Sequence, residues 1–173
     1  MNPRRWTLAK LNAMDREEFT RVVGPVFERS PWIAAEAWLH RPFEDFDRLH
    51  RALCDVVWLA AEARQVELIR AHPDLADRTA LAGALTPASA EEQASAGLER
   101  LSGEEAALFQ ELNRKYRQRF GFPFVICARL NKKEAILSSC AARLRNTRQE
   151  ELKSALEEIA KIARLRLEDL VAG

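Results

Sequence analysis

Three histidines occur in this chain, and one of them sits where proton chemistry could be organised. His72 lies in LIRAHPDLA, residues 68–76, directly before Pro73 and two residues before Asp74. A residue preceding proline is pushed out of the α region, so a helix through Leu68 and Ile69 should end here. Imidazole suits proton transfer near neutral pH. At a helix C-terminus it can equally face the last carbonyls and the negative end of the dipole. Three readings stay open: a stop signal, a satisfied side chain, or a catalytic group held at a helix mouth.

A second stretch, SAEEQASAGL at residues 89–98, places Ser89, Glu92 and Gln93 in the first turn of an expected helix. The N–H groups of such a turn receive anions. A carboxylate there, beside an imidazole on an adjoining helix end, would orient the ring and set its basicity. The plain alternative is a capping box, since Ser89 and Glu92 fit S-x-x-E. The same spacing recurs at Ser102/Glu105, Asn131/Glu134 and Thr147/Glu150, so spacing alone does not separate a helix start from a catalytic pair.

Other chemical apparatus has little support. His40, His50 and His72 form no HExxH and no i, i+4 pair, and no cysteine accompanies them, so no metal site is expected. There is no GxGxxG, no GxxxxGK[ST] and no GxSxG. Cys54, Cys127 and Cys140 lie in no CxxC spacing, which favours reduced thiols in a cytosolic protein. Cys127, inside FVICA, reads as a small core residue. An enzyme built from this sequence would work with side chains alone.

The 27 basic and 26 acidic residues are interspersed and nearly cancel, so neither nucleic acid nor a membrane surface is an expected partner. Apolar runs fall far short of the roughly 18 residues a membrane span needs. The opening MNPRRWTLAK has no signal-like apolar stretch behind its arginines.

The elements that must position these residues are helical almost throughout. At 173 residues and 47% apolar content, the chain is expected to form one all-α domain over residues 1–173, with eight or nine helices and no significant sheet. Asp15 should cap the first helix, with Glu18 opposite and Phe19, Val22 and Val23 inside. Ser30-Pro31 reads as a cap with proline at the first helical position. From Glu44 a helix carries Leu49, Leu53, Val56, Val57 and Ala60 inward. The next covers 62–71, and 77–87 reads as a loop or weak helix. Helices follow from Ser89 to Leu101 and from Ser102 to a terminating Gly121. FPFVICARL, residues 122–130, reads as a buried extended segment or a helix start, and closing helices begin at Lys132 and Arg148.

SPWIA with the later RPF, LIRAHPDLA, SAEEQASAGL, FGFPFVICARL and KIARLRLEDL occur together and in one order. In this combination the sequence resembles the 2-oxo-4-hydroxy-4-carboxy-5-ureidoimidazoline (OHCU) decarboxylases of purine catabolism, from about Phe27 to Leu170. The resemblance implies an all-helical homodimer without metal or organic cofactor, converting OHCU to (S)-allantoin and carbon dioxide in urate degradation. It implies His72 and Glu92 as catalytic residues. Pro73, Ser89, Gln93, Phe124, Val125, Ile126, Cys127, Ala128 and Arg166 are implied as substrate contacts. Some eukaryotic members end in a peroxisomal tripeptide, whereas this chain ends Val171-Ala172-Gly173, so a cytoplasmic protein is expected.

The implied chemistry fits such residues. Decarboxylation needs an electron sink, and the substrate's carboxylate lies β to a ring C=N that can take the pair, so the substrate supplies its own. Two other readings stand beside this one. One is a different cofactor-free lyase or hydrolase acting on ureides. The other is a non-catalytic helical interaction module, which exposed aromatics far from His72 would favour.

Overall fold

The computed structural model describes residues 5–77 and 85–172. Among these are nine α-helices: α1 Leu8–Ala13, α2 Arg16–Val23, α3 Trp32–Ala37, α4 Phe46–Leu59, α5 Glu62–Ala71, α6 Pro87–Ser95, α7 Gly103–Phe120, α8 Lys133–Arg143 and α9 Arg148–Leu170. Short 3₁₀ turns cover Gly24–Val26, Trp38–His40 and Ala128–Leu130. The β pairing among the described residues is one parallel bridge between Trp6 and Val171. The all-α expectation holds. Most of the expected loop over 77–87 lies outside the described residues.

Helix starts show where local rules suffice. Asp15 caps with its side chain, accepting from the Glu18 N–H at 2.8 Å, but α1 precedes this helix. That six-residue helix buries only Leu11, leaving almost no periodicity to read. Ser102 and Glu105 form the complete reciprocal box, and Thr147 and Glu150 exchange the same pair of bonds. The other two boxes do not form. At α6 the cap is Thr86, whose hydroxyl accepts from the Ser89 N–H, while Pro87 takes the first helical position. At α8 Asn131 turns its amide to the Cys127 carbonyl, and Lys132 occupies the cap position without a side-chain bond. Likewise α3 begins at Trp32 without a Ser30 cap, and α4 begins at Phe46 behind Asp45, not at Glu44.

By contacts the chain divides into two compact units, Met1–Leu68 with Ala160–Gly173, and Ile69–Ile159. In the first, α3 packs on α2 and α4, burying Phe19, Ile33, Leu49 and Leu53 completely. Phe19 stacks on Phe43, whose backbone is held at both ends by the Asn12 amide at 2.8 and 2.9 Å. In the second, α7 packs on α8 and carries an aromatic cluster. Tyr116 meets Phe120, Phe122 and Phe124 at ring-centroid distances of 4.6, 6.2 and 5.3 Å. The helix stops at Gly121, which is left-handed at φ 79° as a terminal glycine permits. The chain then runs buried and without helix through 123–127.

Candidate active site

Apart from Arg166, every candidate site residue falls in the unit formed by Ile69–Ile159. It is built from three pieces: the corner after α5, one face of α6, and the segment after α7.

The corner follows from local sequence. α5 ends at Ala71, and the His72 N–H closes a tight turn onto the Ile69 carbonyl at 3.1 Å. His72 is buried, with Pro73 half-buried beside it. The next three residues are each tied down. Both Asp74 carboxylate oxygens accept from Arg117 Nε, at 2.9 and 2.8 Å. The Leu75 carbonyl accepts from the Asn113 amide at 2.8 Å. The Ala76 N–H donates to Gln93 Oε1 at 3.0 Å. Ala76 holds a left-handed φ of 59°, which costs a residue with a Cβ about 1–2 kcal/mol.

On α6, Ser89, Glu92 and Gln93 stand at i, i+3 and i+4 and so share one face. Ser89 and Gln93 are buried and Glu92 is half-buried. Because Thr86 does the capping, Ser89 is the third helical residue and Glu92 belongs to no capping box. The capping box that Ser89 and Glu92 could have formed is therefore absent. Gln93 spends its carbonyl oxygen on Ala76, leaving the NH₂ end of the amide as the part able to meet a ligand.

Phe124, Val125, Ile126, Cys127 and Ala128 are all buried. The Val125 carbonyl accepts from Arg143 Nη1 at 2.9 Å, and that guanidinium lies over the Phe124 ring, 4.5 Å from its centroid. Behind it lies the Glu151 carboxylate, fully buried, accepting from Arg143 Nε, from Asn146 at 2.7 Å, and from the Tyr116 hydroxyl. Arg143 Nη2 sits 2.9 Å from the same carboxylate as an ion pair, but out of hydrogen-bond alignment. Burial, and then Glu151, push the Tyr116 hydroxyl above the usual phenol range, so it remains a donor. The Cys127 N–H donates to Glu158 at 2.8 Å, and its carbonyl accepts from Leu130 and Asn131. The Cys127 backbone is therefore committed within the protein.

These pieces converge. The Ala76–Gln93 bond joins the corner to α6, and the 3₁₀ turn Ala128–Leu130 packs on α6. The Glu92 charge is felt at Cys127, whose thiol is raised first by burial and then by Glu158 and Glu92. Arg166 belongs to the other unit, where its Nη1 and Nη2 each lie 3.2 Å from Glu28 Oε2, both residues being buried. Among the described residues no group of three or more His, Cys, Asp or Glu is arranged to hold a metal ion.

Sequence reasoning passed over Asp74, Asn113, Arg117, Arg143, Glu151 and Glu158. Two carried a readable signal. Asn113 interrupts the inner stripe Phe109, Leu112, Tyr116 and Phe120, and Glu151 stands on that of Leu152, Ala155 and Ile159. A polar residue on a buried helix face needs a partner, and its presence predicts one.

The sequence profile of the OHCU decarboxylase family matches residues 12–168. A 2-oxo-4-hydroxy-4-carboxy-5-ureidoimidazoline decarboxylase from Halalkalicoccus jeotgali is 43% identical over 166 residues, spanning 96% of this chain and 92% of that one. Its counterpart from Amia calva is 43% identical over 164 residues, spanning 95% of this chain and 94% of that one. Among solved structures, an (S)-allantoin synthase superposes with a TM-score of 0.75 at 27% identity, covering 96% of this chain. This chain spans 54% of that longer one.

Proposed function

This chain belongs to the OHCU decarboxylase family, and on that basis we propose that it converts OHCU to (S)-allantoin and carbon dioxide in urate breakdown. The reading rests above all on one observation. A buried imidazole sits on a proline corner that is bonded, through Ala76 and Gln93, to the helix face carrying Ser89 and Glu92.

The bond from the hydroxyl-bearing carbon to the carboxylate breaks. Its electron pair forms a double bond to the neighbouring ureido-bearing carbon, and the ring C=N passes the displaced pair to nitrogen, which takes up a proton. Carbon dioxide leaves. The hydroxyl then gives up its proton to become the ring carbonyl, and a proton arrives on one face of the ureido-bearing carbon. One proton is consumed overall. No external electron sink takes part, so the reaction runs without metal or organic cofactor.

His72 takes or polarises the hydroxyl proton, and Glu92 holds the imidazole or a substrate N–H in register. Ser89, the Gln93 amide, Pro73 and the apolar wall Phe124–Ala128 hold the substrate. Arg166 serves the ureido group or ring oxygen. A tight pairing with the departing carboxylate would favour the ground state over a transition state losing charge there, and Glu28 already shares its charge.

The active form is a cytoplasmic homodimer. Three buried free thiols agree with a reducing compartment. The exposed Leu39 and Leu59 line a groove of about 950 Å³ together with charged residues such as Glu36, Arg48, Arg51 and Asp55, a mixed face for a second copy to cover.

OHCU generated from urate by urate oxidase and hydroxyisourate hydrolase supplies the test. With this protein present, optical activity should rise rapidly as (S)-allantoin forms. Slow, racemic allantoin in its presence would sink the assignment. His72→Ala should lower the rate by about 100-fold or more while the helical circular dichroism persists.

A further inference from the structure

Two of the three ties on the HPD corner meet on a single peptide group. The Leu75 carbonyl and the Ala76 N–H are its two ends, the first held by Asn113 of α7 at 2.8 Å and the second by Gln93 of α6 at 3.0 Å. Both bonds are buried. A peptide plane gripped at both ends cannot rotate, and its orientation is the one that turns the Ala76 N–H toward α6. This also explains how Ala76 is kept left-handed without a glycine, because the surroundings over-determine the strained conformation. One turn further along α7, Arg117 grips the Asp74 carboxylate. Asn113 and Arg117 thus present an i, i+4 pair to the two residues that follow Pro73.

The Asp74–Arg117 pair has no strong reason to exist for stability. The Arg117 side chain is 44% exposed, and exposed or half-exposed ion pairs contribute little. Its geometry nevertheless fixes the chain two residues beyond the imidazole. We propose that Asn113 and Arg117 are positioning residues for His72. Through the Leu75–Ala76 peptide and Asp74, they hold the imidazole against the Ser89, Glu92 and Gln93 face of α6. Neither needs to touch substrate. The inference rests on the reading above in giving His72 the proton transfer, since misplacing a catalytic group by about 1 Å costs as much as 100-fold in rate.

Asn113→Asp keeps the shape but, as a carboxylate, cannot donate to the Leu75 carbonyl. Arg117→Gln and Asp74→Asn remove the exposed clamp at little risk to the fold. In the OHCU assay Asn113→Asp should lower kcat by about 10- to 100-fold with KM changed less, and Arg117→Gln should lower it by a smaller factor. Asp74→Asn with Arg117→Gln should lose no more than either alone, because both remove the same contact. The ratio of Asn113→Asp to wild-type kcat should recover as pH falls, when the protonated carboxyl can donate again. Wild-type kcat in both Arg117→Gln and Asn113→Asp would overturn the proposal.

A second readout does not depend on turnover. The His72 ring proton resonance, identified by its disappearance in His72→Ala, should shift in Arg117→Gln and Asn113→Asp while those of His40 and His50 stay in place. An unmoved His72 resonance in both folded variants overturns the proposal even if OHCU is the substrate. A shifted resonance in a protein with no OHCU activity sustains the positioning role and sinks the functional reading instead. If Asn113→Asp fails to fold, Arg117→Gln decides by the same two measurements.

Discussion

At Cys127 the backbone and the side chain have separate tasks. The N–H and carbonyl lock the segment to Glu158, Leu130 and Asn131, while the thiol packs inward at 1% exposure. Burial also raises the other two thiols. Cys54 is pushed up to about 11, with Asp55 adding to the effect. Cys140 is pushed up to about 12, burial outweighing the opposing pull of Arg143. At pH 8 only about one Cys54 in a thousand is then a thiolate, the form that attacks. A thiol reagent at pH 8 should label the native protein slowly at all three cysteines and leave turnover intact. Labelling should accelerate toward pH 11 and become complete on denaturation. Rapid native labelling at Cys127 with loss of turnover would instead make the thiol a participant in the chemistry.

At the start of α6 the cap falls on Thr86, three residues before Ser89. Thr86 caps and Pro87 enters at the first helical position, where its missing N–H costs nothing. Ser89, buried as the third helical residue, accepts from the Thr86 hydroxyl at 3.1 Å. Thr86→Ala should cost about 1 kcal/mol, or roughly 2–4 °C in Tm, with kcat close to wild type. Ser89→Ala should leave Tm within that range and raise KM for OHCU. Reversed effects would restore Ser89 as the cap. Four boxes share one spacing and two form, and the difference lies beyond the local sequence. A proline and an earlier threonine claim α6, and the Cys127 carbonyl, just ahead of the 3₁₀ turn, claims Asn131.

In the assembled protein, the proposed homodimer would cover the exposed groove beside α4. Leu39 and Leu59 are 66% and 87% exposed there, and Glu36, Arg48 and Arg51 also line it. Sedimentation of the wild type should give twice the 19.7 kDa chain mass, and Leu39→Lys with Leu59→Lys should give the single mass. A wild-type monomer would remove the dimer. A dimer that survives both lysines would place the interface elsewhere.

The helical elements, the terminating Gly121, the His72-Pro73 stop and the residue types available for proton transfer are all decided in the sequence. Each depends on interactions within about one helical turn, or on what proline and glycine permit. Partner choice depends on where separate helices come to rest. Gln93 reaches Ala76 across 17 residues, Glu158 reaches Cys127 across 31, and Asn113 reaches Leu75 across 38. No local pattern encodes such pairings. A buried polar side chain declares only that it needs a partner, and the packing of α6, α7 and α9 around the corner and the 124–128 segment decides which one it finds.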